Sequence, residues 1–194
     1  MAHLSSADLY SLEEYARIRP DFRKRVIEHK KHRRVAIGPN TALYFEDALT
    51  MQYQIQEMLR IERIFEPEGI QEELDVYNPL IPDGSNWKAT FMVEFDDVGE
   101  RKAALAKMLG IDRAVWVQVG GFDKVRPISN EDLERETADK TSSVHFMRFE
   151  LTRDMVAALK DGADLAMGID HPEYHYTVSV LDSAVRDSLL KDLL

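Results

Sequence analysis

The longest amphipathic pattern in the chain covers residues 47–65. From Asp47 onward this stretch has no Gly and no Pro and is rich in Met, Leu, Gln, Glu and Arg, which are good helix formers. Asp47 suits the N-cap, because its side chain can accept hydrogen bonds from the first backbone N–H groups of a helix. At about 100° per residue one broad arc of the helix is apolar. Its members are Met51, Ile55, Met58, Leu59, Ile61 and Phe65.

Two polar residues interrupt this apolar arc. Glu62 falls in its middle and Gln54 lies inside it. A carboxylate on a core face costs several kcal/mol unless it is paired, protonated or bound to a metal ion. Three interpretations stay open: Glu62 forms a buried salt bridge with an arginine, it emerges past the core at the helix end, or it is a functional carboxylate in a polar pocket under helix 47–65.

Alternation of apolar and polar residues predicts β-strands in the rest of the chain. The clearest strand covers residues 87–95, whose odd-numbered residues are apolar. Hairpin-like spacing favours a largely antiparallel sheet of five to seven strands with helices packed on one face, which is an α+β fold. The other predicted strands lie within residues 35–45, where a Gly-Pro-Asn turn separates two of them, and at 114–119, 143–151, 165–169 and 174–180.

The N-terminal third is predicted to be mostly helical. A capping box at residues 11–14 predicts a short helix from Leu12 to Ile18, and Pro20 suits the first turn of a second helix that reaches about Arg34. No repeat or linker is recognisable. We therefore expect a single α+β domain over residues 1–194, with the helical, basic segment 1–34 packed on it.

The charge of the chain is unevenly distributed. Residues 17–34 contain nine basic side chains and two acidic ones and carry +7, while the remainder carries −17 of the total of −10. We expect anion binding at Arg25, Arg33 and Arg34; the alternative is a solvated face that also pairs with acidic residues of the same protein. Overall acidity makes nucleic-acid binding unfavourable, although an acidic partner or a nucleic acid could bind through segment 17–34.

The composition excludes several classes of function. The chain has no cysteine, which rules out disulfides, thiol catalysis and iron–sulfur ligation within it. No Walker loop, Gly-x-Gly-x-x-Gly, His-Glu-x-x-His or Gly-x-Ser-x-Gly motif is present, so nucleotide-dependent and classical hydrolase chemistry have no positive support. No apolar run approaches the roughly 20 residues that span a bilayer, and no secretory signal is recognisable. We expect a cytoplasmic protein.

One short segment is a candidate for a non-haem transition metal. If the chain is extended there, His171, Glu173 and His175 share one face, and two histidines with a carboxylate are suitable ligands for iron, manganese or zinc. Strand positions two apart seldom converge on one ion without a bend, however, and Pro172 favours a loop. The alternative is therefore that these are surface residues at the start of a strand.

A family resemblance is carried by Arg33–Pro39, Phe45, Glu46, Thr50, Gln54, Glu57, Met58, Arg60, Glu62, Tyr77–Leu80, His171, Pro172 and Tyr174. With these residues the chain resembles a bacterial family catalogued as domain of unknown function 3501. The resemblance covers nearly the whole chain and implies one domain of this length. Members are often encoded beside rubrerythrin-like and heterodisulfide-reductase-like iron–sulfur proteins, which implies a redox or oxidative-stress setting and partners of those types. No catalytic residue comes with it.

Taken together, the sequence favours an accessory or ligand-binding protein, with a small ligand or anion in a pocket under helix 47–65. One alternative is a metal-dependent enzyme that uses carboxylate and histidine ligands. Another is the acidic-partner or nucleic-acid binder described above, and a homodimer through sheet edges and large aromatic residues is a further expectation. The candidate ligand-binding residues are Gln54, Glu57, Arg60, Glu62, Tyr77 and Asn78.

Overall fold

The strands form two antiparallel sheets in the computed structural model, which describes residues 3–194. Within that range the strands are β1 Arg34–Ala36, β2 Thr41–Phe45, β3 Asn86–Val93, β4 Val115–Val119, β5 Ile128–Ser129, β6 Val144–Glu150, β7 Leu165–His171 and β8 Tyr174–Val178. The first sheet has the order β1-β2-β3-β6-β5 and the second has the order β4-β7-β8. The α+β class and the antiparallel pairing are confirmed, but the strands divide between two sheets.

Seven α-helices accompany the sheets in the described part of the chain. They are α1 Leu12–Lys31, α2 Ala48–Glu62, α3 Pro67–Tyr77, α4 Val98–Lys107, α5 Ile111–Ala114, α6 Arg153–Lys160 and α7 Ser183–Leu190. None of the helices within residues 3–194 has both the length and the apolar character needed to cross a membrane.

Helix α1 corrects the prediction of two helices separated at Pro20. Pro20 lies inside one continuous helix, although proline in a helix interior removes a hydrogen bond and disfavours the structure. The helix continues because Tyr15, Phe22 and Val26 form one buried stripe on both sides of the proline. Tertiary packing of such a stripe supplies most of the stability of helices in proteins, and here it outweighs the local penalty.

The main hydrophobic core lies between the two sheets. Trp87 and Phe149 of the first sheet and Met167 of the second are fully buried members of one continuous cluster. Helix α7 closes one end, where the Trp87 indole donates a hydrogen bond to the carbonyl oxygen of Leu189 at 3.0 Å. The alternating residues of each sheet thus cover the apolar face of the other.

Helix α2 buries only part of the apolar arc that the sequence predicts. Met51, Ile55 and Leu59 are buried, whereas Ile61 is exposed and Glu62 is exposed beside it. These buried positions are four residues apart, so the face is a narrow stripe that ends one turn before the helix does. Of the three interpretations of Glu62, the structure agrees with the one in which it emerges past the core at the end of the helix.

A buried arginine connects the N-terminal helices to the sheets and to α7. The Arg33 side chain is 2% exposed. Its Nε donates to the carbonyl oxygen of Phe45 and its Nη2 to that of Glu46, both at 3.0 Å. Nη2 also donates to Asp192 Oδ2 at 2.5 Å, and Nη1 lies 3.3 Å from both oxygens of Ser188. One side chain therefore binds groups that are as far as 159 residues away in the sequence.

Two acidic residues balance the charge of Arg33. Asp47 Oδ2 lies 3.4 Å from Arg33 Nε and 2.6 Å from His29 Nε2. Burial raises the pKa of Asp192 to about 6, and the Arg33 guanidinium limits that rise. Burial also acts to raise the pKa of Asp47, but Arg33, the Thr50 amide and His29 more than offset it, so the pKa is lowered. We call His29, Arg33, Asp47 and Asp192 the Arg33 network.

We expect Arg33→Met to destabilise the protein by about 3–5 kcal/mol, the range found when one partner of a buried ion pair is removed. The reason is that Asp192 and several backbone carbonyl groups lose their partner in the core. The free energy of unfolding in urea would measure the effect. The neighbouring Arg34→Met is a matched control, because the Arg34 side chain is exposed and its loss should cost at most about 1 kcal/mol. Equal effects of the two variants would contradict a special role of Arg33.

Candidate functional site

Two basic residues stand directly opposite each other on the central strands of the first sheet. Lys88 of β3 is paired in register with Arg148 of β6. Because side chains alternate along a strand, both project from the face opposite to the buried Trp87 and Phe149. Like charges at directly opposite positions destabilise a sheet. Such a pair needs either compensating charges or a functional reason.

Arg148 has compensating charges. Its Nε and Nη2 donate to the two carboxylate oxygens of Glu131 at 2.8 and 2.7 Å, and its Nη1 donates to Glu150 Oε1. The hydrogen bonds from Arg148 lower the pKa of Glu131. This fork-to-fork geometry is the strongest form of arginine–carboxylate pairing. The Arg148 donors that face the groove are therefore already used within the protein.

Lys88 has weaker compensation, because Glu131, Asp83 and Glu150 act on its charge only from beyond ion-pair distance. It is half-buried, and within residues 3–194 its ammonium group forms no ion pair. Burial, and then the facing Arg148 guanidinium, lower the pKa of Lys88 below its usual 10.5, although Glu131 acts in the opposite direction. Partial burial weakens the hydration of the ammonium group and strengthens its attraction for an anion. Lys88 is thus a partly desolvated cation without a fixed partner.

The surroundings of Lys88 form a groove with a volume of about 480 Å³. It lies between strands β3, β5 and β6 on one side and, on the other, the end of α3 with the 3₁₀ turn Asn78–Leu80. Small-molecule sites in proteins have volumes of roughly 300–1,000 Å³ and mostly apolar walls with a few polar groups. We call this space the α3 groove. Its apolar walls are Val76, Tyr77, Pro79, Leu80, Ile128, Phe146 and Met147, and its charged residues are Asp75, Lys88, Glu131, Asp132 and Arg148.

Of the ligand-binding residues predicted around Tyr77, one lies at the α3 groove and one does not. Tyr77 lines the groove. Asn78 is buried, and its amide holds the N-terminal segment: Nδ2 donates to the carbonyl oxygen of Leu4 at 2.9 Å and Oδ1 accepts from the Leu4 amide at 2.8 Å. Asn78 therefore has a packing role in this structure.

The predicted residues on α2 do not enclose a pocket. Glu57 joins α2 to α1, because its carboxylate accepts from the Tyr15 hydroxyl at 2.7 Å and from Arg19 Nε and Nη2 at 2.7 and 2.8 Å. Arg60 Nη2 lies 3.2 Å from the same carboxylate. The hydrogen bonds from Arg19, followed by those from Tyr15 and Arg60, outweigh burial and lower the pKa of Glu57 to about 2. Gln54 is half-buried, and Glu62 is exposed.

The three arginines predicted to bind an anion lie apart. Arg33 is buried in the Arg33 network, while the next residue, Arg34, points to the other face of β1 and contacts Tyr44 and Glu94. Arg25 is exposed on α1. The prediction of a shared anion site is therefore not supported by their positions. Much of the basic segment instead pairs with acidic residues of the same protein, as the alternative interpretation expects.

The predicted metal ligands are also not brought together. His171 Nε2 donates to the carbonyl oxygen of Leu109 at 2.9 Å, and its Nδ1 accepts from the Glu173 amide at 3.1 Å, so both ring nitrogens are used. His175 pairs in register with Asp170 and therefore projects from the opposite face of the second sheet. Within the described range, no group of three or more His, Asp or Glu side chains is arranged to hold a metal ion.

Comparisons with known proteins agree with this structure. The model of a family described as "Protein of unknown function (DUF3501)" matches residues 3–193. A solved structure of a novel protein of unknown function from Burkholderia pseudomallei K96243 shares 50% sequence identity, covers 100% of both chains and has a TM-score of 0.94. The comparison with curated proteins found no match. The family resemblance expected from the sequence is confirmed.

We expect Lys88→Met to stabilise the ligand-free protein by roughly 0.2–1 kcal/mol, because it removes a half-buried charge from a position opposite Arg148. Chemical unfolding of the two proteins would measure the difference. Lys102→Met on α4 is a matched control, since Lys102 is exposed and outside the groove. A clear loss of stability in Lys88→Met alone would mean that Lys88 is a structural residue.

Proposed function

The chain belongs to the DUF3501 family, and we propose that it is a binding protein for a small amphipathic carboxylate, which it holds in the α3 groove. The observation that carries this proposal is the ammonium group of Lys88, which lacks an ion-pair partner among residues 3–194 and lies in a groove with mostly apolar walls. A group with this environment gains more from an incoming anion than an exposed lysine does, because water screens the interaction less.

The walls of the α3 groove indicate that the part of the ligand beside its carboxylate is apolar. Val76 and Ile128 are 62% and 44% exposed, and together with Phe146 they offer apolar surface that a hydrocarbon or aromatic group would cover. Burying apolar surface contributes about 25 cal/mol per Å². A molecule that has one negative charge and an apolar body therefore matches both the cation and the walls.

A singly charged carboxylate fits this groove better than a phosphate does. Each nitrogen of the Arg148 guanidinium already donates to Glu131 or Glu150, so Lys88 is the cation less engaged within the protein. Asp75 and Asp132 also line the groove and would repel a doubly charged anion. Bound carboxylate would in addition offset the repulsion between Lys88 and Arg148 across the strands.

The biological setting is a separate part of the proposal. An accessory role in a redox or oxidative-stress pathway, with partners of the rubrerythrin or heterodisulfide-reductase type, stays a prediction that depends on the family resemblance. A cytoplasmic location and a homodimer also stay predictions. The chemistry of the α3 groove concerns the ligand and is compatible with each of them.

We expect octanoate to bind the protein and Lys88→Met to raise its dissociation constant tenfold or more. A hydrogen bond to a charged group contributes roughly 1.5–3 kcal/mol, and about 1.4 kcal/mol corresponds to a factor of ten. Isothermal titration calorimetry would measure both constants. Val76→Ser should weaken binding through loss of apolar contact, without affecting folding, because Val76 is exposed.

Two controls separate this site from general binding of detergent-like molecules. Lys102→Met removes an equal charge outside the groove and should leave octanoate affinity unchanged. The neutral 1-octanol has the same chain length, and its dissociation constants for wild type and Lys88→Met should differ by no more than a small factor. If wild type fails to bind octanoate, or binds it as tightly after Lys88→Met, the proposed function is wrong.

Binding of octanoate should weaken as the pH rises through the lowered pKa of Lys88. The ammonium form is present below that pKa and is lost above it, so the affinity declines at a pH below the usual 10.5 of lysine. Titrations across alkaline pH would show the decline. Lys88→Arg retains its charge over this range, so its affinity for octanoate should not change with pH. If the affinities of wild type and Lys88→Arg decline in parallel, the assignment to Lys88 is wrong.

A further inference from the structure

A second cleft shares Glu131 and Asp132 with the α3 groove and has a volume of about 510 Å³. It lies between α5 and the segment that follows β5. The proposed function makes no use of its other residues. Two of these, Asp112 and Arg135, have an unusual feature in common, which is a buried polar atom without a hydrogen-bond partner among the described residues.

Asp112 presents an unpaired acceptor. The residue is 4% exposed, and its Oδ2 accepts from Asn130 Nδ2 at 3.3 Å. Its Oδ1 has no hydrogen-bond partner in the described part of the chain, and the nearest cation is Arg113 Nη1 at 3.8 Å. Most buried polar atoms in proteins have a partner, and a carboxylate oxygen without one is costly. Asp112 Oδ1 is therefore suited to receive a donor from a ligand.

Arg135 presents an unpaired donor. Its Nε is buried without a hydrogen-bond partner in the described residues, whereas its Nη2 donates to Asp132 and its guanidinium stacks over the Phe146 ring at 4.6 Å. Asp112 and Arg135 both line this cleft. The cleft thus offers one negatively charged acceptor and one positively charged donor.

A neutral network holds Asp112 in place. Asn130, whose φ is +55°, donates from Nδ2 to both Asp112 and His145 Nδ1, and its Oδ1 accepts from the Phe146 amide at 3.3 Å. His145 Nε2 donates to the carbonyl oxygen of Ser142 at 3.0 Å. Because Nδ1 accepts, the imidazole is uncharged, and burial lowers the pKa of His145. Asn130 gives Asp112 a hydrogen bond but no positive charge.

We propose that this cleft binds a free α-amino acid, whose ammonium group donates to Asp112 Oδ1 and whose carboxylate accepts from Arg135 Nε. An α-amino acid carries these two groups side by side, which matches two complementary charged residues that line one cleft. The exposed rim residues Glu131, Asp132 and Glu134 add negative charge. The cleft therefore takes neutral or basic amino acids in preference to aspartate and glutamate.

Thermal unfolding of the full chain with each of the standard α-amino acids tests this proposal. At least one neutral or basic amino acid should raise Tm in a concentration-dependent way, since a ligand that binds only the folded state stabilises it. The compound 6-aminohexanoate carries the same two groups at the wrong spacing and should not raise Tm. If no α-amino acid raises the Tm of wild type at millimolar concentration, the proposal is wrong.

Variants locate the effect in the cleft. Asp112→Asn retains the shape of the side chain and should lose the rise in Tm while the ligand-free Tm stays equal or increases, because a buried charge is removed. Arg135→Lys retains the charge but lacks Nε and should lose the rise too. Glu72→Gln removes one exposed charge outside the cleft and should retain the rise. A lower ligand-free Tm in Asp112→Asn, or an unchanged rise in both cleft variants, would overturn the assignment.

Discussion

The arrangement of helices and sheets depends on the buried guanidinium of Arg33. Taking a charged group out of water is costly, and the cost is offset here by Asp192, Asp47 and three backbone carbonyl groups acting together. Those groups belong to the end of β2, the N-cap of α2 and the region around the end of α7. A side chain with this many fixed partners permits a single relative position for all three, because each displacement leaves a buried polar group unpaired.

The α3 groove follows from that constraint. Glu46, whose carbonyl binds Arg33, lies directly before α2, and its carboxylate accepts from Thr50 at 2.7 Å and from Thr90 of β3 at 2.8 Å. Its amide donates to the carbonyl oxygen of Lys88 at 2.9 Å. Helix α3 in turn packs on α2 through a small buried cluster. The wall formed by α3 and the strand that carries Lys88 are thus positioned by one set of contacts.

Local pattern was enough to predict most elements, but it did not predict which side chains meet. Alternation located β3, and composition located α2, because both signals are local. A helical wheel gives relative angles and cannot say where along the helix the core ends, so it leaves open whether Glu62 is buried, and Glu62 is exposed. Arg33 had a usable signal: it shares a strand face with Val35 and Ile37, which are both buried. No local sequence signal identifies Lys88, because Arg148 and α3 are distant from it in the sequence and come near it only in the folded protein.

The segment after β5 shows why its charged residues cannot be interpreted from composition alone. It is largely exposed, as its polar sequence predicts. Three of its carboxylates nevertheless form ion pairs with arginine side chains. Glu131 binds Arg148 at the α3 groove, Asp132 binds Arg135, and Glu136 accepts from the Gly110 amide and Arg113. These ion pairs offset the positive charge of the arginines that line the α3 groove and the second cleft. The ammonium of Lys88 and Oδ1 of Asp112 have no hydrogen-bond partner in the described part of the chain, and they then determine the charge of the ligand that each site can accept.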